Sequence, residues 1–205
     1  MLTFYTNPRS RGQIARWMLE ETDADYSEVV VPYGPEMRTG SFSQINPMGK
    51  VPAIVHNDQV VTETPAICAY LADAYPQAEL APPTAERAAY YRWLFFAAGP
   101  LEQAITSKSM GWEPDAKQSG MLGFGSFERV VSVLETHLAE SAFATGDRFT
   151  AADVYLGSQI DFGLAFGTLP ARPDLEAYRQ RATDREAYRR AKARDLELIA
   201  ADGDG

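Results

Sequence analysis

Two short segments of the chain combine residue types that could bind a small charged molecule. Residues 46–55 read NPMGKVPAIV, in which Lys50 and Val51 precede Pro52 at the start of a strand-like run. A proline cannot donate a ladder hydrogen bond, so a central strand is not expected to begin there with an ordinary backbone. A cis Val51–Pro52 bond is one solution. It would turn the backbone N–H and C=O of Val51 outward, where they could pair with an extended peptide-like ligand.

The second segment, residues 61–71, reads VTETPAICAYL and places Glu63 and Thr64 at a predicted helix start. The free N–H groups of a helix N-terminus, together with a hydroxyl, attract a carboxylate, and an adjacent acid can pair with an ammonium group. The two residues therefore suit an amino-acid head group, which carries both charges. The structural alternative is that Thr64 only caps its helix and Glu63 only favours the helix dipole.

Ser10 follows the first predicted strand and opens the first predicted helix. A hydroxyl at a helix N-terminus can donate to a thiolate and lower the pKa of the thiol from about 8.5. Each unit of lowering requires about 1.4 kcal/mol of preference for the anion, which one charge-assisted hydrogen bond and the dipole can supply. Residues 10–13, SRGQ, also match a capping box, so helix capping alone is the alternative. Tyr5 is a weaker hydroxyl candidate, because its place in the first strand favours packing.

Composition and charge exclude several classes of partner. The 205 residues are 45% hydrophobic and 23% charged, with a net charge of −9, which argues against nucleic acid or an anionic membrane as the main partner. No uninterrupted apolar run reaches about 18 residues, so no membrane span is predicted. Cys68 is the single cysteine, which excludes an internal disulfide and favours a cytoplasmic location. His56 and His137 lack metal-ligand spacing, and no metal site is predicted.

Alternating periodicities predict the order β-α-β-α-β-β-α over about the first 75 residues. The strand candidates are LTFYT, YSEVVV, PAIVH and QVVT, and the helix candidates are RGQIARWMLEETD and TPAICAYLADAYP, with a short irregular helix expected within 35–45. The first two strands should be parallel because a helix joins them. Asn57 and Asp58 form a two-residue hairpin signal between the last two strands.

A Pro-rich break, PQAELAPPTA over residues 76–85, is the predicted domain boundary. Beyond it nearly every segment has helical periodicity, with a kink expected at Pro100 and a capping box predicted from Thr150 to Asp153. The intervening Gly-rich and polar stretch 109–125 is predicted to be a loop, and the terminal DGDG is expected to fray. Further helices are predicted over 127–138, 152–166, 174–182 and 184–199.

Taken in order along the chain, these features resemble the soluble, cytosolic-type and bacterial-like glutathione S-transferase family. The resemblance rests on NPMGKVPAIV and VTETPAICAYL, on the Pro-rich linker and on FTAADVYL at 149–156 in a helical second domain. It implies an α/β thioredoxin-like N-terminal domain over 1–78, a linker over 79–85 and an all-α C-terminal domain over 86–205. It also implies glutathione as cosubstrate, a role in detoxification, and usually a cytoplasmic homodimer.

The resemblance assigns a part of glutathione to each residue of the two segments. Pro52 resembles the cis proline of the family, and Val51 the backbone partner of the cysteinyl unit. Glu63 and Thr64 match the acid–hydroxyl pair that holds the γ-glutamyl group, with threonine standing where serine is commoner. Lys50 lies where a basic or amide residue can meet the glycine carboxylate.

The catalytic position is assigned less directly. Ser10 resembles the catalytic serine of the serine-type classes, and Arg11 occupies the next position, where it would help to hold the thiolate; an arginine there departs from the better-known motifs. The expected activity is conjugation of the glutathione thiolate to a small hydrophobic electrophile. The alternatives are a glutathione-dependent disulfide or peroxide reductase, whose cysteine-type version would need a cysteine near position 10, and a non-catalytic glutathione-binding scaffold.

Overall fold

The computed structural model describes residues 1–202, so of the DGDG end that was predicted to fray only Asp202 is described. The chain forms two compact units, one made of residues 1–80 with 185–202 and the other of Ala81–Asp184. The predicted domain limits of 1–78, 79–85 and 86–205 stay a prediction. By its contacts, the last helix packs with the first unit.

The first unit confirms the predicted order β-α-β-α-β-β-α. The single irregular helix expected within 35–45 is replaced by two short helices, α2 and α3. The elements are β1 (Leu2–Thr6), α1 (Gly12–Thr22), β2 (Ser27–Val30), α2 (Glu36–Thr39), α3 (Phe42–Ile45), β3 (Ala53–His56), β4 (Gln59–Thr62), α4 (Thr64–Ala74) and the C-terminal α11 (Glu186–Asp202).

The four strands form one mixed sheet in the order β2-β1-β3-β4. β1 and β2 are parallel and β3 and β4 are antiparallel, as the connections predict. The pairing of β1 with β3, which is antiparallel, was not predicted. The β3–β4 hairpin turns through Asn57 and Asp58, both at positive φ (50° and 66°), as a tight two-residue hairpin requires.

Helix α1 packs between the sheet and α11 in the first unit. Its side chains at helical spacing, Ile14, Trp17 and Met18, are buried, and the Trp17 ring meets the Tyr188 ring edge-on at 4.9 Å between centroids. Arg16 is fully buried and donates through Nε to Asp195 at 2.8 Å. Burial raises the pKa of the Asp195 carboxyl, and the positive charge of Arg16 opposes that rise.

The second unit is helical throughout its regular structure. Its helices are α5 (Ala88–Phe96), α6 (Glu102–Ser109), α7 (Ala116–Met121), α8 (Phe127–Glu140), α9 (Ala151–Ala165) and α10 (Pro173–Thr183). The interruption expected at Pro100 takes the form of a π-helical segment, Ala97–Leu101, between α5 and α6.

The prediction that 109–125 is only a loop is wrong, because α7 lies inside it. Asp115 accepts a hydrogen bond from Gln118 N–H, and the Gln118 side chain accepts one from Asp115 N–H, each at 2.8 Å. This reciprocal pair is a capping box, which can start a short helix in a polar, glycine-containing sequence. The Asp-x-x-Gln spacing was readable in the sequence.

The capping box predicted at the start of α9 is present and buried. Asp153 accepts from both the backbone N–H of Thr150 (2.9 Å) and its hydroxyl (3.1 Å). It also accepts from Ala144 N–H at 2.6 Å and from the Tyr178 hydroxyl at 2.9 Å. One carboxylate therefore ties together the helix start, the preceding loop and α10.

Candidate functional site

One edge of the sheet brings together the segments that the sequence singled out. In the register, Tyr5 lies opposite Ala53, and Ala53 lies opposite Thr62. The end of β1, the beginning of β3 and the end of β4 therefore share one edge. The chain enters or leaves the sheet there through the candidate segments 7–11, 50–52 and 63–64.

The Val51–Pro52 peptide bond at this edge is cis, which was one solution offered by the sequence and the one that the family resemblance implied. Pro52 is buried and Val51 is half-buried. The Val51 side chain packs against a small apolar cluster formed by Val31, Met37, Phe42 and Ala53. This cluster holds the Val51 side chain, and the Val51 backbone lies just before the start of β3.

The loop before the cis bond is organised by Asn46, which is only 3% exposed. Its Nδ2 donates to Lys50 C=O at 2.7 Å, and its Oδ1 accepts from Met48 N–H at 3.0 Å. Gly49 has a φ of 59°, and a Cβ there would lie 3.0 Å from the Met37 carbonyl oxygen, so a side chain is excluded. Asn46 was not among the residues predicted from the sequence, although a polar residue ahead of a Pro and a Gly was the available signal. Lys50 itself is exposed.

Helix α4 starts at Thr64, with Glu63 at the N-cap position. The expected Thr64 cap is wrong, because no side-chain hydrogen bond caps this helix. Its first i to i−4 bond runs from Ile67 N–H to Glu63 C=O at 2.9 Å. The N–H groups of Thr64 and Ala66 precede that bond, and they lie at the positive end of the helix dipole.

Glu63 has an unusual backbone for a glutamate, with φ at 65° and ψ at 115°. Such conformations cost about 1–3 kcal/mol in non-glycine residues and cluster at ligand sites. The Glu63 side chain is exposed, whereas Thr64 is 6% exposed. The acid therefore reaches solvent at the sheet edge beside a buried threonine.

Ser10 differs from the predicted capping box in its partners. Its hydroxyl donates to Asn7 C=O at 2.7 Å and accepts from Gly12 N–H at 2.8 Å. The Gln13 side chain donates to Pro8 C=O at 2.6 Å instead of reaching back to Ser10. The hydroxyl proton is thus committed to a backbone carbonyl, and it must rotate away before it can serve a thiolate.

Asn7, which is buried, holds the turn that carries Ser10. Asn7 Nδ2 donates to Val31 C=O at 3.1 Å, and its Oδ1 accepts from Arg9 N–H at 2.9 Å. Gly12 packs so closely that a Cβ would lie 2.0 Å from Thr6 Oγ1, so α1 can start here only with glycine. Arg11, the other catalytic candidate, is exposed at the N-cap position of α1.

The remaining candidates have structural surroundings. Tyr5 is half-buried, with its ring 5.7 Å from the Phe42 ring. Cys68 is fully buried, and burial raises the pKa of its thiol, which makes it a poor nucleophile. His56 Nδ1 lies 3.1 Å from the Tyr70 hydroxyl.

Within residues 1–202, no group of three or more His, Cys, Asp and Glu side chains could hold a metal ion. None of the helices described there is long and apolar enough to cross a membrane.

The fold and this edge define a thioredoxin-like domain followed by a helical domain. Residues 1–73 match the family model of the glutathione S-transferase N-terminal domain, and residues 85–193 match that of the C-terminal domain. The chain therefore belongs to the glutathione S-transferase family, as the sequence resemblance indicated, and glutathione is the cosubstrate that the family shares.

Individual relatives show the range of named activities. The chain is 30% identical to glutathione S-transferase 3 of Zea mays over 86% of each chain. It is 29% identical to a maleylacetoacetate isomerase of Pseudomonas aeruginosa, over 93% of this chain and 95% of that one. A sphingomonad glutathione S-transferase solved in complex with glutathione superposes with a TM-score of 0.75 at 25% identity, covering 94% of this chain and 98% of that one.

Proposed function

We propose that the protein conjugates the thiolate of glutathione to a small hydrophobic electrophile. The observation that carries the proposal is the shared sheet edge, where a cis proline, an uncapped helix start and a serine turn meet. Such an edge offers main-chain hydrogen bonds to a peptide and separate places for its charged ends. Glutathione is a tripeptide with one ammonium and two carboxylates, which matches these groups.

In this arrangement each part of glutathione has a partner. The backbone of Val51 pairs with the cysteinyl unit. The γ-glutamyl carboxylate binds the Thr64 hydroxyl and the open N–H groups of α4, while Glu63 binds the ammonium group. Lys50 reaches the glycine carboxylate.

Ser10 has the role of stabilising the thiolate. Its hydroxyl rotates from Asn7 C=O toward the sulfur and keeps its bond from Gly12 N–H, which polarises it as a donor. The thiol proton leaves to solvent. The sulfur lone pair then forms a bond to the electrophilic carbon, and a halide or similar group departs with its bonding electrons. Arg11 adds positive charge near the turn.

Ser10→Ala tests this role. The variant should lose about tenfold or more in turnover with an aryl halide at neutral pH, while the dissociation constant of glutathione changes little. The thiolate absorbance of bound glutathione should titrate at higher pH than in the wild type. Ser132→Ala, on the exposed face of α8, is the matched control. Identical titration curves in wild type and Ser10→Ala would exclude the serine-type assignment.

A second candidate function is isomerisation of an unsaturated diketo acid, which the similarity to the Pseudomonas aeruginosa isomerase favours. It needs the same glutathione site and differs only in the acceptor. A panel of an aryl halide, a cis-configured unsaturated diketo acid and a glutathionylated disulfide separates conjugation, isomerisation and reduction. Calorimetry that shows no binding of glutathione would instead favour the scaffold alternative.

We also propose a cytoplasmic homodimer, as the family resemblance implies. The free, buried Cys68 is consistent with a reducing compartment. Light scattering of the purified protein measures the dimer, and a mass equal to one chain would contradict it. Cell fractionation tests the location.

A further inference from the structure

The helical unit contains a cleft of about 500 Å³ whose lining residues all belong to that unit. This volume falls within the range of small-molecule sites, about 300–1,000 Å³. One wall is the face of α6 and the segment before it, where Ala98, Glu102 and Thr106 follow each other at four-residue spacing. The facing wall comes from the segment around α7 and carries Trp112, Leu122 and Phe124.

A buried hydrogen-bond chain aims the Glu102 carboxylate. Tyr155 donates its hydroxyl to Glu102 Oε2 at 3.0 Å, and Gln159 Nε2 donates to the Tyr155 oxygen at 3.1 Å. Tyr155 and Gln159 lie in the buried helix α9, at 1% and 7% exposure. Because the phenol proton points to Glu102, the chain holds the carboxylate in one orientation, as a preorganised acceptor.

The aromatic wall and the carboxylate favour the same kind of ligand. The Trp112 side chain is 43% exposed and meets the Phe124 ring edge-on at 6.5 Å. An indole face attracts both flat aromatic rings and cations. Among the described residues that line the cleft, Glu102 alone carries a formal charge, and this negative charge favours a cationic group over an anionic one.

We infer that this cleft binds a flat aromatic molecule bearing a protonated amine or a similar N–H donor, and that Glu102 determines this preference. The ring lies against Trp112 and Phe124, and the nitrogen donates to the Glu102 carboxylate. The binding preference itself does not need glutathione.

The test uses the full-length protein without glutathione and two probes that share a ring but differ in charge. Calorimetry should give a dissociation constant for 1-naphthylmethylamine that is about tenfold lower than for 1-naphthoate, as a charge-assisted hydrogen bond predicts. Glu102→Gln, nearly isosteric, should weaken amine binding by about tenfold and leave naphthoate binding equal or tighter. Tyr155→Phe should lower the amine-to-naphthoate ratio by a smaller factor, because the carboxylate loses its orienting donor.

Glu113→Gln is the matched control, since Glu113 is exposed next to Trp112 and outside the lining. It should leave the ratio unchanged. Equal affinities of the wild type for both probes, a preference that survives in Glu102→Gln, or an equal loss in Glu113→Gln would each overturn the inference. Glutathione binding is measured on the same samples. If glutathione binds and conjugation proceeds without the amine preference, only this inference fails. If the amine preference is found but glutathione does not bind and no conjugation occurs, only the proposed function fails.

Discussion

Two helix starts in this protein are built in opposite ways. At the start of α9, Asp153 accepts four hydrogen bonds, from Thr150 N–H, Thr150 Oγ1, Ala144 N–H and the Tyr178 hydroxyl. At the start of α4, no side chain caps the helix, and Glu63 adopts a backbone at φ 65° that glutamate rarely occupies. The first start is satisfied and buried, whereas the second leaves donors open at the sheet edge.

The difference separates a structural helix start from one suited to a ligand. Backbone N–H donors that have no partner at a helix N-terminus gain hydrogen bonds when an anion binds, and these bonds offset the free-energy cost of leaving the donors unbonded in the free protein. Donors that already bond to a buried carboxylate stabilise the fold and are not available to bind a ligand. Substitutions at α9 should therefore act on stability, and those at α4 on glutathione binding.

Asp153→Ala should give the largest effect. It removes the shared acceptor and leaves buried donors unsatisfied, which predicts a loss of about 3 kcal/mol or more in the free energy of unfolding. Urea unfolding followed by circular dichroism measures it. Asp153→Asn, which keeps a carbonyl acceptor, should lose less. If the alanine variant unfolds at the wild-type urea concentration, this helix start is not a structural one.

Thr64→Val should show the opposite pattern. The change is nearly isosteric and removes only the hydroxyl, so the free energy of unfolding should stay within about 0.5 kcal/mol of the wild type. The dissociation constant of glutathione should rise by about tenfold, as expected for loss of a hydrogen bond to a charged group. Calorimetry measures this, with Thr136→Val on the exposed face of α8 as control. Lost stability with unchanged glutathione binding would reverse the comparison.

Part of the α9 start and part of the candidate site could be predicted from the sequence. The Thr150–Asp153 box was readable because both partners lie within one turn, and so was the cis Val51–Pro52 bond, because a proline opens a strand next to family motifs. The contacts of Asp153 with Ala144 and Tyr178 are 9 and 25 residues apart in the chain, and local spacing does not encode such packing.

Ser10 shows a further limit of sequence reasoning. The spacing to Gln13 matched a capping box, but Gln13 instead reaches Pro8 and Ser10 bonds Gly12 and Asn7. The choice among these neighbours depends on how the 7–10 turn is held by Asn7 against Val31. The order of strands and helices in the first unit was predictable from periodicity and short connections, apart from the two short helices α2 and α3 that replace the one expected there.

Glu63→Gly sharpens the comparison through the backbone. Glycine adopts positive φ without steric cost, so relief of strain should offset its greater unfolded-state entropy, and the free energy of unfolding should stay equal or rise by up to about 1 kcal/mol. Glutathione binding should still weaken, because the acid that faces the ammonium group is gone. Glu63→Gln, which keeps the backbone cost, is the control. A marked loss of stability in Glu63→Gly would show that the Glu63 side chain supports the fold.

Through His137, the stability of the helix start at α9 should also depend on pH, and this should be the smallest of the effects. His137 stacks on Trp93 at 4.0 Å between ring centroids, and its Nε2 lies 3.0 Å from the C=O of Ala144, whose N–H donates to Asp153. Burial lowers the pKa of His137, and the positive charge of Arg92 adds to this, against the raising effects of the Ala144 bond and Glu140.

A histidine whose folded-state pKa is lowered binds its proton more readily when the chain is unfolded. Its neutral form therefore contributes full stability above the unfolded pKa of about 6.5, and that contribution is lost as the pH falls from there through the lowered folded-state pKa. His137→Gln can still donate to Ala144 C=O and does not titrate. The urea midpoint of the wild type should fall more steeply than that of His137→Gln between about pH 7 and pH 5. Parallel curves would show that protonation of His137 is not coupled to the α9 start.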